Sequence, residues 1–562
     1  MQRLCARPWR FTMREEKGSR TTLKTIYYNG EVYTGGLPLV QAFAVEDGRF
    51  VFAGTDAEAK ALAAECDRLV DLKGRFVCSG FNDSHMHVLA YGNTLSHARL
   101  EQHTESLSDM IACLKDFAST LPNKKGTWIV GRGWNHDYFT DVSRMPDRRD
   151  LDEVSEDLPV CAVRACGHCL VVNSLALKIL GVTGKSPQPD GGHIGMENGE
   201  PDGRLYDNAM QMAYHAIPAP DKDEIKHMLS LAIRSLNSYG VTSSQTDDYC
   251  VFRDVPWQTV NEAYRELEAS GELTVRIYEQ SNFTDLPSLK GFIEAGNVTG
   301  VGTELFKIGP LKMLGDGALG ARTAFLSRPY ADDPSTCGIP VFSQEDFDTM
   351  VGYANAHGMQ VAIHTIGDAC LDRVLNAYEK ALAEHPREDH RHGVIHCQIT
   401  RADQLERMAK LRLHVYAQSI FLDYDSHIVH ERVGDELAST SYSWKTLMDK
   451  GVSVSNGTDC PVELPDAMAC IQCAVTRASL HGHLEPYLPD QAFTVQEALD
   501  SYTIRGAEGS FEENVKGRIA PGFLADFVVL GANPFEVDQN SLKDVPVCAT
   551  YLGGRQVYKS EG

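Results

Sequence analysis

Eight short apolar runs recur along the middle of the chain: FVCSGFNDSHMH (76–87), VTSSQTDD (241–248), LTVRIYEQ (273–280), LFKIGPLKMLGD (305–316), MQVAIHTIG (359–367), HGVIHCQ (392–398), LHVYAQS (413–419) and VSVSNGTD (452–459). Most are followed by segments of helical periodicity, such as EIKHMLSLAIRSLNSYG (224–240), which Gly240 terminates. Eightfold alternation of strand and helix predicts a (β/α)8 TIM barrel, an α/β fold. That architecture would occupy residues 76–515.

The two ends of the chain follow a different grammar. Residues 24–75 alternate apolar and polar positions around Asn-Gly and Asp-Gly pairs, as in TIYYNGEVYTG and AFAVEDGRFVFAG, and GRIAPGFLADFVVLG and VCATYLGGRQVYK repeat the pattern near the C-terminus. Neither end has enough strands to stand alone, so residues 24–75 and 516–562 are expected to form one small β-sandwich. Residues 93–223 are too long for a single connection and form an insertion after the first strand, whose later part, TGKSPQPDGGHIGMENGEPDGR, reads as loop. Residues 1–23 carry several arginines without the apolar core of a secretory signal and read as a disordered extension.

Composition narrows the partners. A formal net charge of -24 over 562 residues argues against nucleic acid, which demands a concentrated cationic face. No apolar run reaches the roughly 18 residues of a membrane helix. Fifteen irregularly spaced cysteines cannot all pair and suggest reduced thiols in a cytoplasmic enzyme, for which a homodimer is the expected assembly.

Barrel active sites lie at the C-terminal ends of the strands. Those ends here carry His85 and His87 after the first strand, Lys312 in the fourth, His364 at the fifth, His396 at the sixth and Asp459 at the eighth. His-x-His in a strand aims both rings to one face, as a shared metal ion would require. Singly, His364 and His396 read as packed core histidines and Asp459 as a turn cap, but independent structural residues have no reason to recur at equivalent strand ends. Lys312 poses a separate question, because an ammonium inside an apolar run is costly to bury unpaired.

Taken in order, GFNDSHMH, LKMLGDGALGARTA, AIHTIGD, GVIHCQ and SNGTDCPVE resemble the amidohydrolase superfamily, and within it family 3, the YtcJ-like branch that contains N-substituted formamide deformylases. The resemblance runs from about residue 25 to 558 and includes GHCLVVNSLAL (167–177) and GRIAPGFLADFVVL. It implies two divalent ions, usually Zn2+, one held by His85, His87 and Asp459 and the other by His364 and His396. It also implies that Lys312 is carboxylated by CO2 and bridges the ions, so that a buried cation becomes an anion. The other reading of Lys312 is a salt bridge within the barrel, and Lys307 is expected to face water. The implied chemistry is metal-assisted hydrolysis of a non-peptide C–N bond in a small amide, with Asp459 as general base and then acid. Asp83 would orient ligands or cap a turn. Trp134, His136 and His168 would line the substrate pocket, and Arg322 would hold an acidic group or carbonyl oxygen of the substrate, or form a structural salt bridge.

Three further readings compete. A one-metal deaminase of the same superfamily commonly carries a glutamate three residues after the fifth-strand histidine, where this chain has Gly367. A catalytically dead relative would have lost ligands, and none of the six positions is missing. Cys166-Gly-His-Cys169 has the form of a thiol–disulfide exchange motif, which should open a helix after a strand; Cys470 and Cys473 suggest helix packing.

Overall fold

The computed structural model describes residues 24–121, 126–482 and 485–561, so the extension expected over residues 1–23 lies outside the described residues. Eight parallel strands form the central sheet: β1 (Phe81–Met86), β2 (Val241–Thr246), β3 (Arg276–Asn282), β4 (Phe306–Leu314), β5 (Val361–Thr365), β6 (Gly393–His396), β7 (His414–Ala417) and β8 (Ser453–Asn456). Each pairs with its sequence neighbour from β1 to β8, giving the expected barrel order. Strands β8 and β1 meet just beyond the regular ladder, where the Asp459 N–H donates to the His85 carbonyl and the His87 N–H to the Cys460 carbonyl, both at 2.8 Å. Gly457 permits this approach, since a Cβ there would lie 2.5 Å from the His85 nitrogen. The seam that closes the barrel therefore runs through three of the six candidate ligands.

Around the barrel, helices bury one apolar stripe each. The helix Lys222–Ser238 starts at an Asp221 capping box, ends before Gly240 (φ 82°), and buries Ile225, Leu229, Ala232, Ile233 and Leu236. Among the described residues no helix is long and apolar enough to cross a membrane.

The run read as a single strand over 76–87 is two. Phe76–Ser79 belongs to another sheet, and the chain passes between sheets at Gly80, whose N–H donates to Asp526 while that of Phe81 donates to Gly240. A four-stranded sheet (25–28, 42–46, 49–54, 68–71) faces a five-stranded one (31–32, 76–79, 527–530, 547–552, 555–559). Tyr27, Phe43, Phe50 and Phe527 fill the space between them, with Tyr27 and Phe43 stacked at 4.7 Å. A buried ion pair ties this unit to the barrel, Arg276 donating to both carboxylate oxygens of Asp526 at 2.6 and 3.0 Å.

The stretch after β1 builds a six-stranded sheet with two apolar clusters of its own. Its later part is not all loop: Gly192–Glu197 and Glu200–Asp207 pair antiparallel across Asn198-Gly199, both at positive φ. Two residues of left-handed conformation suit a tight hairpin, and the Gly and Pro content obscured the short strands around them. Cys166 and Cys169 flank the turn between Val160–Arg164 and Cys169–Val172, an antiparallel pair, so the motif does not open a helix. Cys470 and Cys473 are buried in the helix Ala467–Thr476. Lys307, expected to face water, is half-buried, and its ammonium pairs with Glu512, which also holds Lys516.

Candidate active site

At the C-terminal mouth of the barrel, one ligand atom each from His85, His396 and Asp459 lies within 4.8 Å of the other two, all in buried residues. His87 Nε2 is 3.1 Å from Asp459 Oδ1, and His364 Nδ1 is 2.8 Å from His396 Nε2. Five candidate ligands thus form one continuous constellation. Its tightest group crosses the division into two ion sites that the family resemblance implies, since His396 sits with His85 and Asp459.

Each ring is oriented by a carbonyl oxygen. His85 Nδ1–H donates to Gln280 Oε1 at 2.7 Å, and the Gln280 amide nitrogen donates to the Ser84 carbonyl, which fixes the direction of the side-chain amide. His87 Nδ1–H donates to the Asp247 carbonyl at 3.0 Å, and His396 Nδ1–H to Gln418 Oε1 at 2.7 Å. His364 is turned the other way, with Nε2 toward the Gly317 carbonyl and Nδ1 toward the centre. Each ring therefore turns its other nitrogen, Nε2 of His85, His87 and His396 and Nδ1 of His364, toward the centre, the orientation metal-ligating histidines use.

Burial is the largest single influence on all four rings. It holds His85 and His396 well below the ordinary imidazole range, with the Lys312 charge adding to the effect in each, and lowers His364 to about 3. Burial opposes protonation of His87 as well, but the hydrogen bond and charge of Asp459 prevail and raise it to about 9.

The backbone is strained at the same place. His396 (φ 70°) and Asp459 (φ 56°) both adopt the left-handed conformation, rare for a residue as bulky as histidine. Trp444 fixes the first by donating its indole N–H to the His396 carbonyl at 3.0 Å. Asp83 fixes the second: its carboxylate accepts from the Thr458 hydroxyl and N–H and from the His85 N–H, tying the loop before Asp459 to β1. Burial, opposed by these bonds, pushes Asp83 up to about 7.

Lys312, 2% exposed, places its ammonium 3.4 Å from Asp247 Oδ2, which also accepts from Asn282 at 2.9 Å. The other Asp247 oxygen is buried without a hydrogen-bond partner. A buried carboxylate oxygen with no donor and facing imidazole nitrogens with no proton between them fit a divalent cation. His85, His396, Asp459 and the adjoining His87 and His364 are the residues that would hold it.

The residues expected to line the pocket are distributed differently. Trp134 is fully buried in the core of the insertion and donates its indole N–H to the Ala162 carbonyl, leaving no face for a substrate. His136, on the turn that follows, packs edge-on against that indole. His168 is exposed and paired with Asp207. Arg322 grips Asp332 with two bonds, at 3.1 and 2.6 Å, and Asp332 also pairs with Arg432. Conversely Gln280, Gln418, Asp247 and Asn282 support the centre without having stood out in the sequence. The signal available was period-two alternation, which puts Gln280 and Asn282 on one face of β3.

Comparison with known proteins accords with this geometry. The amidohydrolase family (family 3) profile matches residues 68–558. The chain is 33% identical to YtcJ of Bacillus subtilis (strain 168) over 96% of this chain and 100% of the relative. It is 25% identical to the N-substituted formamide deformylase of Arthrobacter pascens, over 93% and 95% of the two chains. A solved structure, an uncharacterized metal-dependent hydrolase from Pyrococcus furiosus, superposes with a TM-score of 0.75 at 28% identity, covering 91% of this chain and 100% of that one. The chain belongs to the amidohydrolase family.

Proposed function

We propose that the protein is a metal-dependent hydrolase that cleaves a C–N bond other than a peptide bond, in an N-formyl or N-acyl amine. What carries the reading is the set of ring orientations: four imidazoles, each held from behind by a carbonyl oxygen, turn their other nitrogens toward the group formed around His396 and Asp459. The N-substituted formamide deformylase relative supplies the bond type.

Divalent ions bound there, such as Zn2+, would polarise the substrate carbonyl and favour hydroxide at neutral pH. The chain's own groups handle protons and position. Asp459, bonded to His87 on one side and fixed by the Asp83–Thr458 link on the other, accepts the proton from attacking water and returns it to the leaving nitrogen. Lys312, as a CO2-derived carbamate, would offer two hard oxygens as further ligands. Its proximity to Asp247 is the ordinary ion pair that carboxylation would replace.

A screen of N-formyl and N-acyl amines tests the reaction class. Release of the free amine with formate or a carboxylate is the expected result. Release of ammonia from aminated rings, with none from amides, would instead make the protein a deaminase.

A further inference from the structure

The surroundings of the centre also bear on which amide it takes. Leu314 lies two residues beyond Lys312 on β4, so it shares that face of the strand, and it sits opposite His364 in the β4–β5 ladder. Lys312 is buried, yet Leu314 is 44% exposed, so this side chain opens onto solvent beside a candidate ligand. After β7, the Phe421 ring stacks on His396 with centroids 5.8 Å apart and planes 17° from parallel. After β8, the Val462 N–H donates to the Asp459 carbonyl at 2.9 Å, and the Val462 side chain is 64% exposed. Apolar residues at or after three strand ends thus neighbour His364, His396 and Asp459. His396 joins His364 on one side and Asp459 on the other, which places Leu314, Phe421 and Val462 around the same end of the barrel.

Charge points the same way. Arg322, in the loop that follows β4, is spent on Asp332, which Arg432 also engages, so it offers no counter-charge to a substrate carboxylate. An apolar wall with a few convergent polar groups is the common lining of small-molecule sites.

Resting on the C–N hydrolase reading above, we infer that the substrate is an uncharged amide whose apolar substituent packs against Leu314, Phe421 and Val462, and not an N-acyl amino acid. The test uses Zn2+-loaded protein and two series. The first is N-alkylformamides from methyl to hexyl, with N-formylnorleucine as the carboxylate-bearing counterpart of N-pentylformamide. The expected kcat/KM rises about fourfold for each buried methylene, and N-formylnorleucine falls at least tenfold below N-pentylformamide. Leu314→Ser, or Val462→Ser on a separate loop, flattens the dependence on chain length.

The second series, straight-chain hydroxamic acids from acetohydroxamate to octanohydroxamate, reads the apolar wall by calorimetry without turnover. Affinity that climbs with chain length while no formamide is hydrolysed would leave the apolar site standing and remove the reaction assigned to it. A flat hydroxamate series, an unchanged slope in both variants, or preference for N-formylnorleucine would overturn the inference.

Discussion

His396 Nε2 faces His364 Nδ1 across 2.8 Å, while the far nitrogen of each ring donates to a carbonyl oxygen, on Gln418 and Gly317. Two lone pairs at that distance repel unless a cation lies between them. Addition of Zn2+ to chelator-treated protein should therefore raise the midpoint of thermal unfolding, because a ligand bound only by the native state stabilises it by about 2.7 kcal/mol at a hundredfold excess over Kd. His396→Ala should lose most of that rise in a thermal scan, and an undiminished rise would remove the pair from the metal site.

Gln280 acts on the centre through His85. Its side-chain oxygen accepts the His85 Nδ1–H at 2.7 Å and so reserves Nε2 for the centre. Loss of such an orienting group typically costs about 10- to 100-fold in metal affinity. Gln280→Leu should show this in competition with a chromophoric chelator, whereas Gln280→Glu, which keeps an acceptor there, should bind nearly as well as the parent protein.

A buried ion pair, Arg276 with Asp526, joins the barrel to the sandwich. Removing one partner strands the other charge, a loss of about 3–5 kcal/mol in comparable buried pairs. Asp526→Asn should accordingly destabilise strongly in urea unfolding, while Arg276→Met combined with Asp526→Leu should recover much of the loss. Equal destabilisation by the single and double changes would mean that packing, not charge, dominates this contact.

His414, on β7 inside the barrel, bonds Ser455 Oγ at 2.8 Å, and burial lowers it from 6.5 to about 3. The folded state resists a proton that the unfolded chain accepts, so the stabilisation is complete above pH 6.5 and is lost as pH falls toward about 3. One such group contributes a slope of about 1.4 kcal/mol per pH unit inside that window. Replacement by an uncharged side chain, His414→Gln, should reduce the acid sensitivity of unfolding by close to one proton between pH 4 and 6.

The barrel and the candidate ligands were legible from the sequence for one reason: parallel strands announce themselves as apolar runs, and the ends of those runs coincide with the mouth. His85, His364, His396 and Asp459 could be placed by position alone. Gln280 and Gln418 could not, because a glutamine near a strand end is unremarkable until tertiary register sets it behind a histidine. Trp134 and Arg322 drew attention as residue types that often touch ligands, yet Trp134 spends its indole N–H on the neighbouring strand of the insertion and Arg322 its guanidinium on Asp332 in its own loop. Lys307 was misplaced because its partner, Glu512, lies about two hundred residues away in sequence. The hairpin around Asn198-Gly199 was hidden by the same Gly-rich composition that makes its turn possible.

The account stands most directly on metal dependence. Chelator-treated protein should be titrated with Zn2+ while hydrolysis of an N-alkylformamide is followed. The expected activity is absent at the start, grows in proportion to added metal and breaks at two equivalents per chain; in Lys312→Ala it is lost and partly restored by small carboxylic acids. A break at one equivalent that Lys312→Ala leaves unchanged would contradict the bridged pair, and full hydrolysis by the chelated protein would contradict the account as a whole.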